Sequence, residues 1–229
     1  MLKQKSLPRF SLRSQYPGCS DLQKFLLLGK KTMETVFSVL KQQSVDCKSA
    51  LELGCGPGTT ARFWPENKFL NGVDFDNDAI SWCASNLKPS IFKQIHLHQP
   101  IPFASESFDL VFSPYLFTIL NEDDQNFYLT EIARVLRPNG VAILFFRSQA
   151  EILRNLKDDE YKRFCDGSLV VINQLLSGRI ACKACHTENY IRRTFSRVMP
   201  IVDFQSAKLC QENGVSVTLR PFIVLRKIG

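Results

Sequence analysis

Apolar residues recur at helical spacing between positions 20 and 43, where Leu22, Phe25 and Leu26 are followed by Met33, Val36, Phe37 and Leu40. That spacing predicts one or two helices. The pattern then shortens: Ala50, Leu51 and Leu53 form a brief run carrying one acid, Glu52, and lead into glycines at 54, 56 and 58. A strand turning sharply into a short helix, stopped at Pro65, fits this run. A second run over residues 69–73 ends in Asp74, and Asn77 or Asp78 then caps a helix to about Leu87, closed by Pro89. Further runs predict strands over 91–97 and 108–113. Asn121 caps an amphipathic helix with Leu129, Ile132, Val135 and Leu136 on one face, and Pro138-Asn139-Gly140 turns it into a strand over 141–146. Strands alternating with helices predict an α/β domain.

Residues 150–180 read as two or three helical pieces broken at Asp166-Gly167 and Ser177-Gly178. This is longer than a plain crossover helix, which assigns 150–190 to a substrate pocket. From Thr187 the pattern gives a capped helix, a strand near 198–204 and a last strand near 222–226. An antiparallel closing hairpin would complete a seven-stranded sheet in the order 3-2-1-4-5-7-6. The chain divides into an arm with lid helices (1–46), a ligand-binding core (47–149), the insertion (150–190) and closing strands (191–229).

A chain of 229 residues, 45% apolar, can bury one sizeable core without a second domain. It holds no apolar stretch long enough to cross a bilayer and no secretory leader, which predicts a soluble, cytoplasmic protein. The first twenty residues carry Lys3, Lys5, Arg9, Arg13, several serines and no acid. An organellar transit peptide has that composition, but Leu2, Leu7, Phe10 and Leu12 fit a basic arm docked on the fold better. The net charge of +7 is uneven: residues 1–31 hold seven basic side chains against one acid, residues 192–229 seven against two, and the middle is acidic. Such ends could flank an anionic ligand or be solvated faces. No arginine-rich stretch or recognition-helix pattern accompanies them, so a nucleic-acid partner is not expected.

The glycine turn carries the chemistry. Glycine there permits positive φ and lets a ligand lie on bare backbone. Asp74, sixteen residues after Gly58, stands at the tip of the neighbouring parallel strand, where a carboxylate can take both ribose hydroxyls. A dinucleotide site asks instead for G-x-G-x-x-G, and the third glycine position of that pattern is Thr59. The acidic-x-G-x-G-x-G pattern of residues 52–58 resembles motif I of the class I S-adenosylmethionine-dependent methyltransferases. Two further stretches carry the same resemblance: Ile101-Pro102-Phe103 with Phe108-Asp109-Leu110-Val111, and Arg134-Val135-Leu136-Arg137-Pro138-Asn139-Gly140. A narrower likeness, to bacterial members beside glycan and small-metabolite biosynthesis, covers Tyr115–Leu120 and His186–Arg197, with Tyr115 and Ile119 departing from the serine and histidine found there.

The resemblance implies a Rossmann-like fold, S-adenosylmethionine as cofactor and a lid over it from the helices of residues 20–43. It also implies a site built from Glu52, Gly54, Cys55, Gly56, Gly58, Asp74, Phe75 and Ser113, with Phe75 against the adenine. The acid that usually meets the adenine amine is missing from His96-Leu97-His98-Gln99, leaving His98, Gln99 or a backbone group, unless both histidines are ordinary strand-end residues. Methyl transfer needs mainly alignment, and a base only if the acceptor must lose a proton. Candidates for such a catalytic residue are Tyr115 and His186, with His98 behind them.

Eight cysteines in an intracellular chain should be reduced. Cys182-Lys183-Ala184-Cys185-His186 spells a haem-attachment motif, but no export signal accompanies it, and one C-x-x-C falls short of a zinc site unless Cys165 joins; no metal is expected. The leading expectation is therefore a methyltransferase acting on a small molecule, a sugar or secondary metabolite, at oxygen rather than nitrogen. The alternatives are an RNA or protein methyltransferase using the basic ends, and a non-catalytic S-adenosylmethionine-binding protein.

Overall fold

The computed structural model describes residues 6–16, 18–87, 90–154 and 156–229. Lys3, Lys5, Leu2 and the predicted helix stop at Pro89 lie outside the described residues. A short helix, α1 (Phe10–Arg13), precedes α2 (Leu22–Gln42). The core follows with β1 (Ala50–Leu53), β2 (Leu70–Asp74), α3 (Asn77–Asn86), β3 (Ile91–Gln94), β4 (Phe108–Ser113), α4 (Glu122–Val135) and β5 (Leu136–Phe145). Next come α5 (Gln149–Leu153), α6 (Asp158–Cys165), β6 (Val170–Ile172), β7 (Lys183–Cys185) and α7 (Glu188–Phe195). The chain closes with β8 (Ile201–Gln205), β9 (Lys208–Glu212), β10 (Val215–Leu219) and β11 (Phe222–Arg226).

The central sheet has seven strands in the order β3-β2-β1-β4-β5-β11-β8. With β8 sixth and β11 seventh among its strands, this is the expected 3-2-1-4-5-7-6. The pairs β1/β2, β1/β4, β2/β3 and β4/β5 are parallel, and β11 runs antiparallel to both β5 and β8. A parallel sheet must be covered on both faces, and the side chains divide accordingly. Leu51, Leu53 and Val111 join Leu129, Ile132 and Val135 of α4 in one cluster. Ala50, Leu110 and Phe112 join Met33, Val36 and Val39 of α2 and Ile80 and Cys83 of α3 in the other. Single helix α2 thus covers the sheet beside the glycine turn.

Local differences from the sequence reading have local causes. Asp76, not Asn77 or Asp78, caps α3: its Oδ1 accepts from Asp78 N at 2.9 Å and Ala79 N at 3.2 Å. The stretch before Pro65 is a 3-10 turn over Ala61–Phe63 rather than a helix. Strand β3 ends at Gln94, and the chain then turns at Leu97-His98, with His98 at φ 60°. Strand β5 begins at Leu136, five residues early, and absorbs Pro138-Asn139-Gly140 as an irregularity opposite Phe108 and Leu110. Asn121 caps α4 and Thr187 caps α7, each side chain accepting from the amide three residues on.

The two hairpins are the larger departure. Residues 170–185 form the antiparallel pair β6/β7 rather than a helical piece, the β-branched Val170-Val171-Ile172 favouring extended backbone. Instead of a direct closing hairpin, β8 and β11 are separated by β9/β10, joined at Asn213-Gly214 with φ 50° and 77°. Asn-Gly is the dipeptide such a tight turn requires, and it was the legible signal for this hairpin. Lys30 and Lys31 of α2 pair with Glu212 of β9 at 2.6 and 3.2 Å, so part of the basic N-terminal charge is spent on fixing this hairpin. No helix among the described residues is long and apolar enough to cross a membrane.

Candidate active site

At the carboxyl ends of β1, β2 and β4 lies a cavity of about 370 Å³, the position where open α/β sheets bind ligands. Gly54, Cys55, Gly56, Asp74, Phe75 and Tyr115 all line it. The turn is tied to β2 at each step: Gly54 N and Cys55 N donate to Val73 O at 2.8 and 3.0 Å, and Gly56 N donates to Asp74 Oδ2 at 2.7 Å. Gly56 sits at φ 47°, and a Cβ there would come within 2.8 Å of the Tyr16 ring. The turn therefore needs glycine both for its backbone and for its cover.

Asp74 is nearly buried, and its other oxygen accepts from Asp76 N at 2.9 Å. The carboxylate thus holds the Gly56 and Asp76 amides, with the Phe75 amide also drawn to it, and keeps acceptor capacity to spare, since a carboxylate offers about four acceptor positions. Burial pushes the Asp74 carboxyl up to about 6, against the pull of the Asp76 and Gly56 amides. Phe75 is half-buried, its ring 6.0 Å from Tyr128, and it lines the cavity opposite the β6/β7 hairpin, whose Gly178 lies beside it.

Other expected site residues lie elsewhere. Glu52 stands behind the turn, 1% exposed: Oε1 accepts from the Thr60 hydroxyl while Oε2 is buried with no hydrogen-bond partner among the described residues. It ties the strand to the segment after the turn rather than lining the cavity. Gly58 faces α3, where an added Cβ would meet Leu87 at 2.5 Å. Ser113 is fully buried, and its hydroxyl donates to Leu53 O at 2.9 Å, joining β4 to β1 inside the sheet. His98 and Gln99 are exposed outside the cavity; the His98 ring lies 3.3 Å from Asp124 in a separate depression.

Tyr115 and His186 are not brought together. His186 is 5% exposed in a different cavity, its Nε2 donating to Gln125 Oε1 at 2.8 Å and its ring 4.7 Å from Phe146. Burial, reinforced by Arg147, holds the imidazole down to about 3, which keeps it neutral. Cys182 and Cys185 are buried thiols of the same hairpin region, pushed up to about 11 by burial. Among the described residues no cluster of His, Cys, Asp and Glu could hold a metal.

Tyr115 follows β4 and lines the cavity beneath Arg220, whose guanidinium lies 5.2 Å over its ring. Burial raises the phenol's pKa, which makes it a hydrogen-bond donor rather than a base at neutral pH. Two cavity residues had no signal in the sequence. Tyr16, from the arm, donates to Asp76 Oδ2 at 2.7 Å and covers the glycine turn. Arg220, between β10 and β11, donates to Thr118 Oγ1 at 3.2 Å and Glu151 Oε1 at 3.1 Å.

The buried acids predict a pH dependence. Glu52 moves from 4.5 up to about 8, through burial first, so the fold favours its protonated form. A raised carboxylate pKa means stability is fully present below about pH 4.5 and is lost as pH rises through 8. The melting temperature of the ligand-free chain should fall between pH 5.5 and 8.5, and Glu52→Gln should flatten that slope. A slope identical in the variant would show that Glu52 is not the titrating group.

The sequence profile of a family described as "Methyltransferase domain" matches residues 51–144. An uncharacterized protein of Haemophilus influenzae is 32% identical over 104 residues, 42% of this chain and 41% of that protein. A fatty-acid O-methyltransferase of Mycolicibacterium smegmatis is 32% identical over 124 residues, 49% of this chain and 42% of that enzyme. The chain thus matches about two fifths of each relative's length. In structure, it resembles a Burkholderia thailandensis 1,6-didemethyltoxoflavin-N1-methyltransferase with a TM-score of 0.62 at 15% identity, covering 94% of this chain and 85% of the other.

Proposed function

We propose that this chain, whose residues 51–144 match a methyltransferase-domain profile, is a class I S-adenosylmethionine-dependent methyltransferase that transfers a methyl group to a small molecule, at oxygen. One observation carries this reading: the glycine turn and Asp74, far apart in sequence, meet on a single cavity at the switch point of the sheet. The lining suits the cofactor. Bare backbone at Gly54 and Gly56 faces the cavity, Asp74 keeps acceptor capacity for a ribose, and Phe75 offers an aromatic wall for a flat base. When bound, S-adenosylmethionine supplies an activated methyl carbon on sulfur.

The chain's own part is binding, alignment and exclusion of water. Tyr16 closes over the turn from the arm, and the β6/β7 hairpin brings Gly178, Arg179 and Ile180 to the cavity, with Gly178 against Phe75. Alignment of this kind reaches effective molarities of about 10⁵ to 10⁸ M, enough to carry most of a displacement that needs no covalent help. The Mycolicibacterium relative's activity on an oxygen acceptor supports the choice of oxygen, and a cavity rather than an open basic groove supports a small acceptor. Calorimetric titration of the full chain with S-adenosylhomocysteine tests the reading. It should bind one to one and saturably; no heat at millimolar ligand would refute it.

A further inference from the structure

A second cavity of about 250 Å³ adjoins the first, and Tyr115 and Arg220 line both. Its walls come from α2, β5 and β10: Leu28, Phe145, Val217 and Leu219, with Pro114 at the junction. That volume falls just below the roughly 300 to 1,000 Å³ of pockets for drug-sized ligands, so its occupant is compact and largely apolar.

Thr32, Ser216 and Thr218 add hydroxyl groups to the lining, and the charged groups are few and of one dominant sign. Arg220 is only 11% exposed at the junction, and Lys24 stands at the rim. Glu151 is the opposing acid, already engaged by Arg220 and by the Ser148 amide at 3.0 Å. Burial disfavours its charge, yet Arg220 and Arg147 hold its carboxyl below the usual range. Arg220 pairs with Glu151 at 3.1 Å and Arg147 acts on the same carboxylate only through its charge, while both guanidinium groups donate to Thr118, so two cations face one acid.

Among the described residues no proton acceptor in these cavities is well placed to serve as a base: Glu151, the carboxylate that lines the second cavity, is engaged by Arg220 and the Ser148 amide and held below the usual carboxylate range, which makes it a weak one. None of the three histidines, His96, His98 or His186, lines either one. Asp74 and Asp76 are held by backbone amides and by Tyr16, and the Tyr115 phenol lies under a guanidinium. An alcohol would find only a weak acceptor for its proton, and an ammonium would be repelled by Arg220. The acceptor should arrive as an anion that is already a nucleophile.

We infer that the second cavity holds the methyl acceptor and that this acceptor is a carboxylic acid with a compact apolar body, its carboxylate bound by Arg220. The inference rests on the methyltransferase reading above. A carboxylate oxygen forms the new O–C bond as the methyl carbon–sulfur bond breaks, the bonding pair stays on sulfur, and the products are a methyl ester and S-adenosylhomocysteine. No proton moves, which matches a site without a well-placed base. Arg220 acts here as a specificity residue: planar, permanently charged and suited to a carboxylate's two oxygens.

The test compares octanoate and benzoate with 1-octanol and octylamine, using the full chain and methyl-labelled S-adenosylmethionine. Esters of the two acids should form at rates well above any product from the alcohol or amine. Octanoate should also bind the cofactor-free chain in a chemical-shift titration, perturbing residues of α2 and β10. Arg220→Ala and the milder Arg220→Gln should each raise KM for the acids about 10- to 100-fold, the range for losing a hydrogen bond to a charged group, and weaken octanoate binding in parallel. Faster methylation of the alcohol or amine, an unchanged KM in both variants, or binding of S-adenosylhomocysteine with neither acid methylated would overturn the inference. Failure to bind S-adenosylhomocysteine at all would instead remove the reading on which it rests.

Discussion

Replacing Asp74 with alanine is expected to lower affinity for S-adenosylhomocysteine by at least about 100-fold, because hydrogen bonds to a charged group contribute about 1.5 to 3 kcal/mol each and a ribose would take two. The loss has a second component. Asp74 Oδ2 and Oδ1 hold the amides of Gly56 and Asp76, so the variant also releases the glycine turn from β2 and frees the residue that caps α3. Asp74→Asn separates the two effects, since the amide keeps an acceptor and the side chain's shape while losing the charge. Its affinity should lie between wild type and Asp74→Ala, with a melting temperature close to wild type. Unchanged binding in Asp74→Ala would sink the ribose assignment.

The largest effect on stability should come from a residue that touches no ligand. Gly29 lies within α2, and a Cβ added there would sit 1.9 Å from Thr59 O and 2.9 Å from the Phe63 ring. Alanine is favoured over glycine within a helix by about 1 kcal/mol, so propensity alone predicts that Gly29→Ala stabilises. The collision outweighs this gain. Its partner is a backbone oxygen in the segment just after the glycine turn, which cannot rotate away, and overpacking of that kind costs about 1 to 3 kcal/mol and occasionally more. A contact this short belongs at or beyond the upper end. For a chain of this size each kcal/mol moves the melting temperature by about 2 to 4 °C, so a net fall of several degrees is expected by calorimetry. Because α2 would be pushed off the turn, affinity for S-adenosylhomocysteine should fall with it. A variant as stable as wild type would mean that α2 does not hold the turn in place.

The sheet was readable because its signals are local and redundant. The runs that became β1, β4 and β11 are short, apolar and bounded by turn residues, and burial on both faces leaves such runs little freedom. The glycine turn and Asp74 were readable for the same reason: each has few chemical substitutes. Tertiary placement was not legible. Ser113 has the right position in the sequence, but the alternation of side chains along β4 turns its hydroxyl inward to Leu53 O. His186 precedes a helix cap and was a fair candidate base, yet it packs between Phe146, Tyr190 and Phe195. Arg220 and Tyr16 belong to no local motif; only folding brings the arm and the β10–β11 junction to the same cavity. The stretch from 150 to 190 misled because its breaks at Gly167 and Gly178 fit helices and hairpins equally well, and Val170-Val171-Ile172 was the cue that decided between them.

The turn at residues 54–58 and Asp74 are built for S-adenosylmethionine rather than a dinucleotide. Calorimetric titration of the wild-type chain with S-adenosylhomocysteine and, separately, with NAD⁺ decides it most directly. S-adenosylhomocysteine should bind one to one, with binding lost in Asp74→Ala, and NAD⁺ should give no heat at millimolar concentration. Saturable binding of NAD⁺ without binding of S-adenosylhomocysteine would contradict this assignment.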